Sequence, residues 1–310
     1  MAIGITIHYS PLKRFALIGV AGYIAPRHLK AIKETGNVLV AALDKHDSVG
    51  ILDSYFPEAD FFTEFERFDR HLEKLKRNGS PVDYVVICSP NYLHDAHIRF
   101  GLRIGADVIC EKPVVLNPWN VDALMEIEKE TGKKVFTILQ MRLHPFIIAL
   151  RGKVMNAPAG KRFNVTLKYI TPRGHWYHIS WKGDTQKSGG IATNIGIHFF
   201  DLLLWIFGDV NESKVCEHTE TRASGHLVLD KADVDWLLSI DEIDLPEKIK
   251  AGNKRIFRSL IIDGEENDLG ENFSELHTKV YEEILTGGGV ELPKIKRSVE
   301  LVHQIRFKKS

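Results

Sequence analysis

Between residue 13 and about residue 140 the chain repeats one pattern: a short apolar run, a turn rich in Gly, Pro or Ser, then an amphipathic stretch. Residues 15–20 enter a Gly-containing turn, and 24–35 read as a helix closed by Gly36. A strand over 38–43 ends on Asp44, helices follow over 48–55 and 64–77, and the strand 82–88 runs into Ser89-Pro90-Asn91. The helix 94–103 then leads to the strand 107–110 and Glu111-Lys112-Pro113. Pro118 opens a helix with Asn117 as its cap and Gly132 as its stop, and 135–139 is a further strand. Strands alternating with helices must pair in parallel, with helices covering both faces of the sheet. The expectation is an α/β fold whose first part, 13–144, is a doubly wound Rossmann-type domain.

After a helix near 145–154 the pattern changes. Residues 163–170, 214–220, 226–229, 233–240 and 258–262 read as strands with few helices between them, which predicts an α+β domain over 145–310 with a largely antiparallel sheet. Helices are expected over 198–207, 273–285 and 298–307, the last two packing back on the first domain. Residues 1–12 form an extension in which 5–9 add a short strand. A chain of 310 residues is long enough for two cores.

Lys plus Arg and Asp plus Glu number 41 each, so no net field favours nucleic acid or an anionic membrane. No apolar run approaches the roughly 20 residues that span a bilayer, and residues 1–12 lack the pattern of a signal peptide. Cys88, Cys110 and Cys216 are odd in number and scattered, which suits reduced thiols in a cytoplasmic protein without a disulfide or metal site. An antiparallel sheet with one uncovered face invites a second copy, so a homo-oligomer is expected.

The first turn, Gly19-x-x-Gly22-x-x-Ala25, supplies what a pyrophosphate needs: a tight bend, bare backbone and helix amides, with Ala21, Tyr23 and Ile24 along its path. Alone it serves equally as a structural strand-to-helix turn. Asp44, 25 residues after Gly19, lies where a carboxylate accepts the adenosine ribose hydroxyls and repels a 2′-phosphate, so NAD is expected rather than NADP. Ser89, Asn91 and His94 follow the third major strand at the edge where ligands bind open α/β sheets. Asn91 and His94 serve equally as caps of the next helix.

Two strings carry chemistry: Glu111-Lys112-Pro113 after a strand of the first domain, and Asn194-x-Gly196-x-His198-x-x-Asp201 opening a helix of the second. Together with the Gly turn running to His28 and Ser89-Pro90-Asn91-Tyr92-Leu93-His94, they make the chain resemble the Gfo/Idh/MocA oxidoreductases from Lys13 to about Arg306. The resemblance implies a dimer or tetramer and an NAD-dependent enzyme in which Lys112 and His198 flank the nicotinamide and the reacting hydroxyl. A group beside that oxygen must accept its proton or stabilise its charge. With reference values of about 6.5 for His and 10.4 for Lys, His198 is favoured as acceptor and Lys112 as orienting cation, the exchanged roles remaining open. Many sugar and polyol members have Asp where this chain has Asn194, so no carboxylate acts there and Asn194 is expected to position the substrate.

Arg173, Trp176, Tyr177, Lys182, Lys187 and Ser188 lie in a stretch rich in aromatic and cationic groups, suited to phosphate, carboxylate and sugar faces. The bland reading of that stretch is a solvated strand and loop. Its pattern, with Ala192-Thr-Asn-Ile-Gly-x-His, is similar to the UDP-N-acetyl-glucosaminuronate 3-dehydrogenases of bacterial O-antigen and other surface polysaccharide pathways. That resemblance implies a UDP-sugar substrate oxidised at C3′ to the 3-keto nucleotide sugar. It also implies 2-oxoglutarate as an oxidant for bound NADH. Gln140 and Arg142 are expected to close the site from the first domain, and Glu111 and Lys112 to lie by the cofactor. The rivals are a relative acting on another sugar and an NAD-binding sensor without catalysis, which needs neither Lys112 nor His198.

Overall fold

A computed structural model describes residues 12–252, 255–268 and 275–308. The strand expected over 5–9 and the start of the helix expected at 273 lie outside the described residues.

Six strands make the first sheet: β1 (Arg14–Ile18), β2 (Val38–Leu43), β3 (Asp60–Phe62), β4 (Tyr84–Ile87), β5 (Asp107–Cys110) and β6 (Val135–Thr137). Their order is β3-β2-β1-β4-β5-β6, all parallel. Strand order reverses between β1 and β4, and the crevice outside their carboxyl ends is where such sheets bind ligands. The crossovers carry α1 (Ala25–Glu34), α2 (Ile51–Tyr55), α3 (Phe65–Arg77), α4 (His94–Ile104) and α5 (Pro118–Thr131). Central strands such as Tyr-Val-Val-Ile of β4 are buried at every position. Continuous apolar runs of this kind are what a sheet covered on both faces requires. Asn117 precedes α5 without a side-chain cap hydrogen bond, contrary to its expected role.

After α6 (Pro145–Met155) the chain enters β7 (Phe163–Ile170), where burial alternates along the strand. Two short helices follow, α7 (His175–Ile179) and α8 (Thr185–Ser188), where a solvated strand and loop had been the bland expectation. Next come a π-helical turn at Ala192–Gly196 and α9 (Ile197–Phe207), so His198 lies inside a continuing helix rather than at the start of a new one. Strands β8 (Val210–His218), β9 (Arg222–Leu229), β10 (Ala232–Ser239), β11 (Phe257–Ile262) and β12 (Glu265–Asp268), with α10 (Glu247–Ala251) before β11, complete a sheet of order β12-β11-β7-β10-β9-β8. Only the central β7–β10 pairing is parallel. Outward positions such as Asn164, Lys168 and Asp235 are exposed, whereas Val165, Leu167 and Trp236 are buried on the inner face.

The last two helices do return to the first sheet. Val280, Tyr281 and Ile284 of α11 (Leu276–Leu285) join Leu29 and Ile32 of α1 in one core, and α12 (Leu292–Phe307) packs between α5 and α9. The stretch Thr185–Phe207 corrects one expectation: by length and composition it suffices to cross a membrane, with mean hydropathy 1.5. It is a core helix instead, since 83% of that window is buried inside the fold.

Candidate active site

The Gly turn is built by contact with β4. Gly19 has φ of +93°, and a Cβ there would lie 2.6 Å from the Cys88 carbonyl carbon, so only glycine lets the turn cross the end of that strand. Its amide donates to Leu43 O at 2.7 Å. Asp44 ties the same turn to β2: its Oδ2 accepts the Ala21 amide at 3.0 Å and its Oδ1 the His46 amide at 3.0 Å. Helix α1 begins beyond Gly22 and Ile24 without a side chain on its first amides, while Tyr23 stands 85% exposed beside it. Pro26 has no N–H, and the Ala25 and Arg27 amides bond to Gly22 O and Ile24 O, so the amides left without a partner among the described residues are those of Tyr23 and Ile24 in the turn; such amides attract anions. A tight turn with the Tyr23 and Ile24 amides unpartnered and a carboxylate at the end of β2 therefore fit a dinucleotide with free ribose hydroxyls.

Across the crevice, the loop after β4 reaches the second domain. Asn91 Nδ2 donates to Ser188 O at 2.9 Å and to Asn194 Oδ1 at 3.2 Å, and Asn194 Nδ2 donates to Tyr177 Oη at 3.0 Å. Lys112, after β5 and before a cis peptide to Pro113, donates from Nζ to the Asn194 carbonyl at 2.9 Å. His198 is four residues beyond that carbonyl. Gly196 lets this helix rest on the sheet, because a Cβ there would lie 2.5 Å from Leu238 Cδ1. Thus Lys112, Asn194, Tyr177, Asn91 and His198 meet at the junction of the two domains.

Burial lowers Lys112 below the usual ammonium range, Arg173 and Lys182 add to the effect, and Glu111 opposes it. His198 is lowered to about 3, chiefly by burial and then by the Lys112 charge. Its Nδ1 has no hydrogen-bond partner among the described residues, and neither has the buried Oε1 of Gln140. Buried polar atoms without a partner are uncommon in a folded chain and mark places where a bound group or water would pair with them. Lys182 lies 5.2 Å from the centre of the Trp176 ring and is itself lowered by burial and by Arg173. Neither cation forms an ion pair among the described residues, so the lip of the site holds unneutralised positive charge.

Several expected site residues have other partners. Arg142 is no cofactor contact through its fork: Nε and Nη2 bind Asp201 at 2.7 and 2.6 Å, and Ser298 Oγ completes that buried pair. His94 is fully buried with its ring nitrogens 2.7 Å from Pro113 O and 2.8 Å from Ser89 O, so it braces two site loops rather than a ligand. Ser89 Oγ binds His97. The Glu111 carboxylate faces His28, His277 and the Lys112 amide instead of the crevice. Ser188 is fully buried and accepts from the Gly190 amide, and exposed Lys187 pairs with Asp184. The Asn194 amide is held at both ends, so it positions Tyr177 and Asn91.

Sequence reasoning missed His277 and Tyr281, four residues apart on α11 and buried among Leu276, Val280 and Ile284. Two polar groups on the apolar stripe of a helix were the available signal.

Residues 13–139 match the model of the oxidoreductase family with an NAD-binding Rossmann fold, GFO_IDH_MocA, and residues 160–234 match the family's C-terminal alpha/beta domain. The WlbA (WbpB) dehydrogenase from Thermus thermophilus, solved with NAD and alpha-ketoglutarate, is 49% identical with a TM-score of 0.93 over 96% of both chains. The chain belongs to the Gfo/Idh/MocA oxidoreductases. The same Thermus enzyme solved with NAD and UDP-GlcNAcA gives 48% identity over the same share. Among curated relatives, the inositol 2-dehydrogenase of Rhizobium meliloti is 27% identical over 71% of this chain and 60% of its own. The D-glucoside 3-dehydrogenase of Escherichia coli is 29% identical over 41% of this chain and 36% of its own. The chain therefore spans between about a third and three-fifths of the length of these curated relatives. As a Gfo/Idh/MocA oxidoreductase it uses the first domain to hold NAD, in keeping with the Gly19 turn and Asp44.

Proposed function

We propose that this chain oxidises the C3′ hydroxyl of UDP-N-acetyl-D-glucosaminuronic acid to the 3-keto nucleotide sugar. Bound NAD supplies the hydride acceptor for that carbon. The turn from Gly19 to Ile24, with the Tyr23 and Ile24 amides unpartnered, holds its pyrophosphate, and Asp44 its adenosine ribose. The observation that carries this reading is Lys112 Nζ held at 2.9 Å on the Asn194 carbonyl, one turn before His198. It stands in a chain 48% identical to a dehydrogenase solved with UDP-GlcNAcA.

Reaction at the hydroxyl needs a group that can take its proton. His198 at about 3 is a weak base. Lys112, lowered by burial and by two neighbouring cations, comes closer to the neutral amine that can accept. We therefore assign the proton to Lys112 Nζ, which reverses the roles the sequence favoured. His198 stays uncharged and offers its imidazole as a neutral hydrogen-bonding group to the same oxygen. The two titrate as a pair, because loss of the Lys112 charge relieves part of the depression on His198. Tyr177 accepts from Asn194 and keeps its O–H to donate. Arg173 and Lys182 bind the uronate carboxylate, and Trp176 packs on the sugar.

2-Oxoglutarate suits the same cations and serves as the second oxidant, as the Thermus complex with alpha-ketoglutarate supports. The three free cysteines favour a cytoplasmic setting, and the open face of the second sheet a homo-oligomer. The test is single-turnover NADH absorbance with UDP-N-acetyl-D-glucosaminuronic acid, followed by 2-oxoglutarate. NADH that forms and then disappears is the expected course. No absorbance change with this sugar under single-turnover conditions overturns the reading.

A further inference from the structure

Behind Lys112 lies a buried polar cluster that the proposed reaction does not use. Glu111 Oε1 faces His28 Nε2 at 3.0 Å and His277 Nε2 at 3.4 Å, while its Oε2 accepts the Lys112 amide at 3.2 Å. His28 Nδ1 meets Tyr281 Oη at 2.8 Å. Relative exposure is 0% for His28 and Tyr281, 1% for His277 and 8% for Glu111. One set of protons is consistent with these contacts: Tyr281 donates to His28 Nδ1, and each histidine donates from Nε2 to the carboxylate, which leaves His277 Nδ1 without a partner among the described residues. These donors come from α1 and α11, so the end of the chain is joined to the strand loop that bears Lys112.

We propose that His28, Glu111, His277 and Tyr281 form a clamp that positions Lys112, holding a fixed carboxylate charge against the backbone of the lysine whose amine takes the substrate proton. The inference rests on the assignment of Lys112 as proton acceptor. Buried alone, a carboxylate takes up a proton. Here the burial of Glu111 is outweighed by the two histidines, which keep it well below the usual carboxylate range. Cys88, Cys110 and Tyr281 around it are held neutral, each pushed well up by burial. From the other side Lys112 faces Arg173 and Lys182, with His94 and His198 nearby. Those cations and burial push its proton off; the clamped Glu111 opposes them. Without that carboxylate the lysine is left among cations alone.

The test compares the full chain with Glu111→Gln, His277→Gln and Tyr281→Phe, each checked for native melting. Two readouts are followed across pH: turnover with NAD and UDP-N-acetyl-D-glucosaminuronic acid, and acylation of Lys112 by an amine-directed reagent without substrate, scored by peptide mass spectrometry. Glu111→Gln is expected to move the acylation midpoint and the acid limb of turnover down by about one pH unit or more, the range for a lost opposite charge at short distance. His277→Gln and Tyr281→Phe should move both the same way by less, and they carry the test if Glu111→Gln does not fold. Folded variants with unmoved midpoints overturn the clamp. So does one equivalent of divalent metal retained by the wild-type protein, since the three ligand atoms lie within 4.8 Å of one another and would then be metal ligands. Shifted acylation midpoints without NADH formation would refute the substrate reading and leave the clamp standing. NADH formation with unmoved midpoints would do the reverse.

Discussion

The two sheets hold their halves of the site in different ways. In the first, both faces are covered and the functional groups leave the strand ends: the Gly19 turn after β1, Asp44 after β2, Asn91 after β4 and Lys112 after β5. Their positions follow from the backbone. In the second, one face is covered, and the chemistry comes from a helix laid on that face and from the short helices beside it. His198 is fixed by the fit of Gly196 against Leu238, whereas Trp176 stands 51% exposed at the lip. The difference separates tasks: a rigid floor for proton and hydride transfer, and an adaptable lip for recognition.

The widest separation is expected between Lys112 and Lys182. Lys112→Ala should lower kcat by about 10²–10⁴-fold, the usual worth of a positioned acid or base, while the NAD Kd changes by less than about threefold. Lys182→Ala should act mainly on KM, raising it about tenfold as one half-buried contact to the substrate carboxylate is lost. Equal loss of kcat in both variants would break the division between floor and lip.

Next is the pair that joins the halves. Arg142, just past the first sheet, forms a bidentate bond to Asp201 on α9, and Asp201 is 1% exposed. Arg142→Ala leaves that carboxylate buried without its partner, which costs about 3–5 kcal/mol. Denaturant titration should show a lower midpoint of this order. A loss below about 1 kcal/mol would mean that the domains are held instead by the packing of α11 and α12 and by the Asn91 and Lys112 contacts to the second domain.

These cases also show what the sequence made legible. Strand ends were readable because the alternation of apolar runs and turns places them, and Asp44 and Lys112 fall at such ends. The partners of Arg142 and Glu111 were not, since Asp201 lies 59 positions from Arg142 and His277 lies 166 from Glu111. A fork or carboxylate beside a ligand cleft looks the same in sequence as one turned inward. Residue type likewise favoured His198 as the base, whereas the burial and neighbouring charges that lower both groups are invisible in residue type.

Asp44→Ala tests the floor at its cofactor end. The carboxylate holds the Ala21 amide, so its loss both slackens the turn and removes the ribose acceptor. The NAD Kd should rise about tenfold, equivalent to about 1.4 kcal/mol, with weaker discrimination against NADP. Unchanged affinity for both would show that Asp44 serves the turn only.

The smallest effect separates the halves by pH. In the first domain, burial lowers His97 to about 4 and also lowers His28 and His94; in the second, it lowers His198 to about 3. Unfolded histidines take up protons near about pH 6.5. Below that value the unfolded chain binds more protons than the folded one, so stability falls as pH drops and continues to fall toward the depressed folded values. The carboxylate of Glu111 adds its own loss only below about pH 4.5, since its folded value lies lower still. Melting temperature should therefore decline between about pH 7 and pH 5, at roughly 2–4 °C for each kcal/mol lost. His97→Asn removes one such group beside Ser89 and should flatten the slope, whereas an exposed histidine such as His46, changed to Asn, should leave it unaltered. Equal slopes in both variants would place the acid sensitivity outside the buried histidines that brace the floor.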